Sequence, residues 1–503
     1  MSAAPPFRRL VVANRGEIAI RVMRACRELG IESVAVYSDA DRNALHVRAA
    51  DRAERIGPAP ANESYLSIPA VIEAALRGGA DAVHPGYGFL SENAAFATAV
   101  IDAGLSFVGP SPATLAALGD KLAARNAVAA AGVPIVPGLM VPLTDGQLDL
   151  SEVGFPMLLK AAAGGGGRGM RRVDTAAEVG PALAIARQEA MAAFGDATVY
   201  AERLLAPTRH VEVQLLGDRH GGLAALGERD CSVQRRHQKL VEESPSPAAT
   251  PDIRAALLES ARRVARTVEF QNAATVEFLL DADGNHYFLE MNTRLQVEHG
   301  VTELVTGLDL VTWQIRIAAG EALPDEVLDA TFSGHAIEVR VYAEDPYDGF
   351  RPVAGTVTTW QMPGGPGVRV DAGVGAATEL RTEYDPLLAK LLVHAADRPA
   401  ALARLRRALD ETLIGGVQTD LGFHRWLVDE PGFSIGDYDT ALVAERWGSG
   451  PPLTAEETRA AASAAADARA SRSTPGIAPR RRTAGESPWA QQARREATEA
   501  TER

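Results

Sequence analysis

The N-terminal part of the chain alternates short, mainly apolar runs with longer amphipathic segments. Residues 9–13 and 34–37 are such runs, and residues 18–29 between them carry apolar side chains at helical spacing up to Gly30, which ends the helix. Residues 81–93 begin with another apolar run, which leads into a turn containing glycine and proline and then a helix start. Strands buried on both faces and joined by amphipathic helices are typical of a parallel sheet. We therefore expect an α/β, Rossmann-like domain over residues 1–120.

The turns of this domain do not identify a ligand. The first one, Asn14-Arg15-Gly16-Glu17, lacks the GxGxxG spacing that brings a backbone close to a pyrophosphate, which argues against a dinucleotide-binding enzyme. The second, residues 84–93, is compatible both with a purely structural turn and with a segment that contacts a ligand.

A phosphate-binding loop is predicted further along the chain. A helix starts near Lys121, and an apolar strand, residues 155–160, then ends in Lys160 and leads into the glycine-rich segment 161–170, which includes Gly166 and Gly167. Glycines let successive backbone N–H groups wrap an anion, and the lysine can reach phosphates as a point charge. Because the lysine precedes the glycines, the segment is not a P-loop. Such a flexible run also suits a lid that closes over a nucleotide.

Residues 228–239 concentrate positive charge. They contain four basic side chains, including Lys239, together with His237, and they are flanked by an apolar strand at residues 211–216. A basic run between buried elements favours an anion pocket over a solvated face.

A second polar cluster alternates strictly with apolar residues along residues 286–298. A straight strand would place one row of polar groups on a single face: Glu290, Asn292, Arg294, Gln296 and Glu298. Carboxylate and amide oxygens suit Mg²⁺ beside phosphates, and Glu277, on a strand joined through a hairpin at residues 281–284, can supply a third ligand. The arginine and the last glutamate of the row suit anion binding and base chemistry.

Composition narrows the class of protein. The chain of 503 residues is 46% hydrophobic and 23% charged, which are globular values and suggest several domains. A net charge of -14 argues against nucleic acid as the main partner. Two cysteines give no disulfide framework, and no signal peptide or membrane-length apolar run is found. We expect a soluble cytoplasmic protein with no membrane association.

Lysine is used sparingly, since only four of the 51 basic residues are lysines. Lys121, Lys160 and Lys239 fall within the segments described above, whereas Lys390 falls outside them. A lysine kept where arginine is the usual cation suggests a site that needs a compact ammonium rather than a planar fork. The three lysines therefore point to an enzyme that handles phosphates.

Taken together, these segments resemble the biotin carboxylases, the ATP-grasp components of biotin-dependent carboxylases. The resemblance rests on residues 11–19, 84–93, the glycine-rich loop, 228–239 and 290–299, and it runs in order from about residue 8 to 447. It implies a Rossmann-like domain (1–120), an ATP-grasp domain (121–330) with a mobile lid at about 135–205, and a C-terminal α+β domain (331–447). It also implies that ATP and bicarbonate carboxylate biotin on a carrier protein, giving carboxybiotin, ADP and phosphate.

The resemblance also implies a role for individual residues. ATP would be held by Lys121, Lys160, Gly166, Gly167, Glu202, Arg203 (through its backbone), Leu204, Leu205, His210, Gln234, His237, Glu277 and Glu290. Two Mg²⁺ or Mn²⁺ ions would be held by Glu277, Glu290 and Asn292. Bicarbonate would be held by Lys239, Arg294, Gln296 and the backbone of Val297. Glu298 would be the base and Arg340 would stabilise the biotin enolate, so that the catalytic set is Lys239, Arg294, Glu298 and Arg340.

One departure from the family pattern lies next to the base. Gly300 follows His299 where the family usually has proline, and a flexible glycine there is expected to loosen the loop that carries Glu298.

The partners are also expectations of the resemblance. None of the eight methionines adjoins a lysine and no lysine follows Lys390, so the Ala-Met-Lys-Met turn of biotin carriers is missing. We expect a separate carrier, a separate carboxyltransferase subunit and a homodimer, within an acyl-CoA carboxylase of the acetyl- or propionyl-CoA type that serves fatty acid biosynthesis. Residues 448–503 are Ala-rich and Arg-containing, and we expect a disordered or partly helical tail.

Two other classes remain open at this point. Another ATP-grasp ligase, such as a carbamoyl-phosphate or amino-acid ligase, would share Lys160 and the metal carboxylates but not the set formed by Arg294, Glu298 and Arg340. A non-catalytic scaffold subunit would keep the fold and lose charged active-site groups, yet every such group that we can match is present.

Overall fold

The computed structural model describes residues 5–119, 121–139, 143, 150, 153–162, 170–448 and 450. All of them belong to one compact unit, Met1–Gly450. Gly166, Gly167 and the predicted tail beyond residue 450 lie outside the described residues. No helix of the described part is long and apolar enough to cross a membrane.

The N-terminal part is a parallel sheet covered by helices. Its strands follow the order β3-β2-β1-β4-β5 and all neighbours are parallel. They are β1 (Arg9–Val12), β2 (Glu32–Ser38), β3 (Arg52–Gly57), β4 (Ala82–His84) and β5 (Ser106–Phe107), with helices α1 (Gly16–Glu28), α2 (Leu45–Ala49), α3 (Ile68–Arg77), α4 (Ala94–Asp102) and α5 (Pro112–Gly119). The apolar side chains of β1 are completely buried, as strands covered on both faces require. The predicted Rossmann-like arrangement is confirmed.

A small antiparallel sheet follows in the region of the predicted lid. The elements are α6 (Lys121–Ala130), β6 (Met157–Ala161), β7 (Met170–Val173), α7 (Val179–Phe194) and β8 (Val199–Arg203), and the sheet order is β7-β6-β8. Leu159 of β6 and Ala186 of α7 belong to one buried cluster, so the helix covers one face of this sheet. Lys160 thus projects from a short sheet with its own core. Mobility of this lid stays a prediction.

The largest sheet contains eight antiparallel strands, in the order β13-β12-β9-β10-β11-β14-β21-β19. Its first part comprises β9 (Thr208–Gly217), β10 (Leu223–Arg235), β11 (Gln238–Ser244), α8 (Pro251–Thr267), β12 (Asn272–Asp281), β13 (His286–Asn292), α9 (His299–Thr306), α10 (Leu310–Ala318) and α11 (Asp325–Leu328). The predicted hairpin joins β12 to β13 and sets Glu277 directly opposite Glu290.

The C-terminal part completes the same sheet and adds small ribbons and helices. It comprises β14 (His335–Tyr342), β15 (Glu344–Asp345), β16 (Arg351–Pro352), β17 (Gly355–Thr356), β18 (Thr359–Gln361), β19 (Val368–Ala372), β20 (Glu379–Leu380), β21 (Leu387–Ala395), α12 (Arg398–Glu411), β22 (Leu413–Gly415), α13 (Leu421–Asp429), α14 (Pro431–Ile435) and a π-helical turn, Val443–Trp447. The mixture of helices and antiparallel strands confirms the predicted α+β class. Because β14 pairs with β11, the sheet continues across the predicted boundary at residue 330, and the domain limits stay predictions.

The straight strand predicted over residues 286–298 is wrong beyond Asn292, where β13 ends. The N–H of Thr293 donates to the carboxylate of Glu92 (3.0 Å) instead of to a neighbouring strand, so the chain leaves the sheet. Residues 293–298 form an irregular segment, called here the base loop, which leads into α9.

Candidate active site

A cavity of ≈ 760 Å³ lies between the lid sheet, the eight-stranded sheet and the C-terminal part. Most of the predicted site residues line it although they come from distant segments: Lys121, Lys160, Leu204, Leu205, His210, Gln234, His237, Lys239, Glu277, Glu290, Asn292, Arg294, Gln296, Val297 and Arg340. Tyr87 and Gly88, in the turn whose role the sequence left open, also line the cavity. The fold therefore brings the lysines, the carboxylates and the base loop to one place.

Three predicted site residues that the structure describes lie outside the cavity wall. Glu298 is completely buried behind the wall. Glu202 is also buried, and its carboxylate accepts a hydrogen bond from Lys160 (2.5 Å), so it orients that ammonium. The guanidinium of Arg203 turns away and donates to the carbonyl of Val153 (2.8 Å), while its backbone N–H donates to Pro137.

Lys239 lies at the centre of a cluster of carboxylates. Its Nζ is 2.7 Å from Glu212, 3.0 Å from Glu277 and 2.6 Å from Glu298. Burial alone would lower the pKa of Lys239, but the surrounding acids raise it well above its usual value, so the ammonium is charged. Arg229 is completely buried and ion-paired with Glu212. It therefore supports the cluster and does not form part of the anion pocket that the basic run suggested.

Glu298 is held between two cations. Oε1 is 2.6 Å from Lys239, and Oε2 is 3.0 Å from Nη2 of Arg340. Burial alone would raise the pKa of Glu298, but the charges of Lys239, Arg340 and Arg229 outweigh it and hold this pKa well below the usual range. Arg340 also donates to Glu242 (2.7 Å), so it bridges two buried carboxylates.

The predicted metal ligands form a matching set of oxygen donors. Glu277 and Glu290 lie directly opposite each other on β12 and β13, and Asn292 donates to Glu277 (3.0 Å). Like charges in such a cross-strand pair are unfavourable unless cations compensate them. In the structure Lys121 (2.6 Å from Glu290) and Lys239 provide this compensation. Two facing carboxylates and an amide at the wall of this cavity fit Mg²⁺ or Mn²⁺.

Arg294 is positioned by a residue that the sequence reasoning missed. Nε of Arg294 donates to Glu92 (2.9 Å), and the other oxygen of the same carboxylate accepts from the backbone of Thr293. Nη1 also donates to Gln296 (2.9 Å). Glu92 belongs to the segment 84–93, so that segment contributes directly to the arrangement of the base loop. In the sequence, the position of Glu92 shortly after a predicted strand was the only indication that it could contribute to the site.

Lys390 was also missed as a functional residue, because it lies outside every motif. Its side chain is completely buried, and Nζ donates to the carbonyl of Val297 (2.7 Å) in the base loop. The ammonium is 3.2 Å from Glu17 and 3.9 Å from Asp371. All four lysines of the chain therefore lie at or directly behind the site.

The architecture and the site define a class of enzyme. A small antiparallel sheet presents Lys160 above a larger antiparallel sheet whose neighbouring strands present opposed carboxylates, and a cavity separates them. This is the arrangement of an ATP-grasp ligase, which binds the nucleotide between two sheets and activates a carboxylate-like substrate with its phosphate.

Comparison with protein families agrees with this class and refines it. The family described as biotin carboxylase, N-terminal domain, matches residues 6–115, and the biotin carboxylase C-terminal domain matches residues 338–445. Between them, the ATP binding domain of the carbamoyl-phosphate synthase L chain matches residues 120–326.

Individual relatives match along almost the whole described chain. The biotin carboxylase of Nostoc sp. is 48% identical over 442 residues, which is 87% of this chain and 99% of that protein. The biotin carboxylase of Halalkalibacterium halodurans is 46% identical over 440 residues, covering 87% of this chain and 97% of the relative. The chain therefore belongs to the biotin carboxylase family, and it is an ATP-dependent ligase of that type.

Solved structures give the same result. A biotin carboxylase complex with β,γ-ATP from Campylobacter jejuni superposes with a TM-score of 0.84 at 43% identity, covering 88% of this chain and 99% of that one. The biotin carboxylase domain dimer of the Hydrogenobacter thermophilus 2-oxoglutarate carboxylase, in complex with MgADP, ADP and bicarbonate, gives a TM-score of 0.86 at 43% identity and covers 89% and 99%. The predicted fold class is confirmed, and the alternative of another ATP-grasp ligase, such as a carbamoyl-phosphate or amino-acid ligase, is not supported.

Proposed function

We propose that this chain carboxylates biotin in the cavity described above, with ATP and bicarbonate as co-substrates and Glu298 as the base. The observation that carries the proposal is the position of Glu298, which is completely buried directly behind the cavity and held between Lys239 (2.6 Å) and Arg340 (3.0 Å). A carboxylate between two cations that both line the cavity beside it can exchange a proton with an anion bound there.

The first step would be removal of the bicarbonate proton. In the resting site Lys239 lowers the pKa of Glu298, so the carboxylate is ionised but weakly basic. An incoming anion that binds to Lys239 and Arg294 shares the positive charge, and the basicity of Glu298 then rises at the moment when the base is required. The deprotonated substrate can attack the terminal phosphate of ATP.

Arg340 would act in the second half of the reaction. While Glu298 is ionised, the guanidinium is shared between Glu298 and Glu242. Protonation of Glu298 removes one of these two negative charges, which leaves Arg340 free to stabilise the oxyanion of a biotin enolate. The carboxyphosphate formed in the first step, with release of ADP, would break down to CO₂ and phosphate. The phosphate would take the N1 proton of biotin, and N1 of the resulting enolate would form the new bond to CO₂.

The phosphates of ATP would be bound by Lys121, Lys160 and His237, which line the cavity. These local groups are needed because the protein as a whole carries a net negative charge. When bound, Mg²⁺ or Mn²⁺ held by Glu277, Glu290 and Asn292 would neutralise charge on the phosphate oxygens. Gly166 and Gly167 complete the proposed nucleotide site but lie outside the described residues.

We propose that biotin arrives on a separate carrier, as the similarity to biotin carboxylases such as that of Nostoc sp., which the chain matches over 99% of that protein's length, supports. Avidin blotting of the purified chain from cells with an active biotin ligase tests this directly. No signal is expected, and a covalently attached biotin would contradict a separate carrier.

Several finer features are proposals of the same kind. A homodimer is supported by the related Hydrogenobacter domain, which was solved as a dimer. A carboxyltransferase partner and an acyl-CoA acceptor are supported by relatives such as the methylcrotonoyl-CoA carboxylase α subunit of rice. The choice of acetyl- or propionyl-CoA as the acceptor stays a prediction. A cytoplasmic location is supported by Cys26 and Cys231, which are both free and buried. A linker or docking role for residues 448–503 stays a prediction, and of this segment the structure describes only residues 448 and 450.

Transfer of ¹⁴C from labelled bicarbonate to free biotin tests the proposed reaction. Acid-labile label should be found in biotin only when ATP and a divalent cation are present. Label fixed without ATP, or ADP formed without fixation into biotin, would contradict the proposal.

A further inference from the structure

Two successive carbonyl groups of the base loop are held from behind by side chains outside that loop. The carbonyl of Gln296 lies 2.8 Å from Nδ1 of His299, and the carbonyl of Val297 accepts from Nζ of Lys390 (2.7 Å). A carbonyl oxygen is only an acceptor, so Nδ1 of His299 carries the proton. Burial and the nearby charge of Lys390 hold the pKa of His299 well below its usual value, so the imidazole is neutral and donates from this atom alone.

These two hydrogen bonds fix the direction in which the backbone N–H of Val297 points. In a trans peptide the C=O and the following N–H point in opposite directions. Fixing the oxygen of Gln296 away from the cavity therefore turns the N–H of Val297 towards the cavity, which Val297 lines. Fixing the oxygen of Val297 in the same way immobilises the peptide that leads directly to Glu298.

Lys390 is itself held rigidly. It lies on β21 with its side chain completely buried, 3.2 Å from Glu17 of α1 and 3.9 Å from Asp371 of β19. Burial alone would lower the pKa of Lys390, but Glu17, Glu338 and Asp371 raise it, so the ammonium is charged. The ammonium of Lys390 thus contacts the N-terminal part, the C-terminal sheet and the base loop at the same time. A guanidinium would need more space and a planar set of acceptors.

Gly300 permits this arrangement. A Cβ atom at this position would lie 2.4 Å from Cδ2 of Leu392 and 3.2 Å from Oε2 of Glu338, so a larger residue here would require the Leu392 side chain to shift. The expectation that this glycine loosens the base loop stays a prediction. The structure shows in addition that the position packs closely against β21.

We propose that Lys390 and His299 are positioning residues that orient the Val297 N–H as a donor to bicarbonate and fix the start of Glu298. The inference rests on the proposed function, because it deepens the assignment of bicarbonate to this loop. Neither side chain touches the substrate, so both act through the backbone.

The main test removes the charge of Lys390 together with that of its nearest acid. Lys390→Met combined with Glu17→Gln removes one charge of each sign, and Asp371 keeps Arg369 (2.7 Å). Burial already raises the pKa of the third nearby acid, Glu338, well above its usual value despite the charge of Lys390, so the neutral form of that carboxyl needs no cation. The matched control is Arg398→Met with Glu243→Gln, a buried ion pair (2.7 Å) remote from the base loop. The KM for bicarbonate should rise about tenfold or more in the first double variant, since a hydrogen bond to a charged group is lost. The dissociation constant for ATP should stay within about twofold, as expected for an interaction confined to the loop.

Hydrogen–deuterium exchange supplies a readout that does not depend on activity. Amides of residues 293–300 should exchange faster in the Lys390 double variant than in the wild type and the control. If exchange in this loop and the KM for bicarbonate both change no more than in the control, the proposal is overturned. If the wild type shows no bicarbonate-dependent ATP hydrolysis, the proposed function fails instead, and the exchange result still decides whether the loop is held as described.

Two variants of His299 test the proposal independently if the Lys390 double variant does not fold. His299→Asn places an amide N–H near the position of Nδ1, whereas His299→Gln places it near Nε2. The Asn variant should therefore keep a lower KM for bicarbonate than the Gln variant. Equal KM values for the two variants would overturn the assignment of His299.

Discussion

Replacing Glu298 with glutamine should stop the chemistry while leaving the site assembled. The substitution keeps the shape of the side chain and removes its charge and basicity. Lys239 would retain Glu212 (2.7 Å) and Glu277 (3.0 Å), and Arg340 would retain Glu242 (2.7 Å), so no buried cation is left without a partner. The amide has one acceptor oxygen, so it keeps one of the two hydrogen bonds from the cations and loses the other, which should cost about 1.5–3 kcal/mol in unfolding free energy.

The loss of rate should be larger than the loss of stability. A positioned general base contributes about 10²–10⁴-fold, so the rate of biotin carboxylation should fall by that factor, or by about 3–5 kcal/mol of transition-state stabilisation. The assay is fixation of labelled bicarbonate into free biotin, with ATP affinity measured separately by calorimetry. ATP affinity should stay close to that of the wild type, because Glu298 lies behind the cavity wall.

Glu242→Gln is the matched control, since Glu242 and Glu298 both pair with Arg340. Burial raises the pKa of Glu242 to about 7, despite the charge of Arg340, so glutamine resembles the form that is already half populated at neutral pH. This variant should lose less than about tenfold in rate, or under about 1.4 kcal/mol. The reasoning is refuted if Glu298→Gln stays within about threefold of the wild type, or if both variants lose activity equally.

Three further predictions concern neighbouring groups. Lys239→Arg should retain less than about a tenth of the carboxylation rate, because a planar fork cannot replace a point charge among three carboxylates, and a higher rate would contradict this. Glu92→Gln should raise the KM for bicarbonate about two- to fivefold by releasing Arg294, the usual effect of a partly exposed ion pair, and an unchanged KM would count against it. Burial alone would raise the pKa of Glu243, but its hydrogen-bonded partners lower it from 4.5 to about 2. The stabilisation, about 3 kcal/mol, should be complete above about pH 4.5 and disappear as the pH falls towards 2. Urea unfolding of Glu243→Gln should show a correspondingly weaker dependence on acid pH.

The fold was largely predictable because its signals are local. Completely apolar runs such as residues 10–13 and the helical spacing of residues 18–29 depend only on near neighbours, and the structure has a strand and a helix there. The base loop shows where a local signal fails. Its alternating pattern continues through residue 298, but the strand ends at Asn292, where the N–H of Thr293 donates to the carboxylate of Glu92, about two hundred residues away.

The sequence predicted which residues form the site, but it did not predict the residues that hold them in position. Motif residues such as Lys160 and Glu290 were identifiable because the chemistry of phosphate and metal binding requires their side chains. Lys390, Glu92 and Arg229 act through partners that are far away in sequence, and no periodicity or motif marks such long-range contacts. The scarcity of lysine in the chain was the only indication in the sequence that Lys390 contributes to the site.

Release of ADP by the purified wild-type chain, measured with and without bicarbonate and free biotin, tests the central claim most directly. ADP formation should depend on bicarbonate, increase with biotin, and yield carboxybiotin in proportion. ATP hydrolysis that is indifferent to bicarbonate, or no turnover by a folded protein that binds ATP, would contradict the assignment of this site to biotin carboxylation.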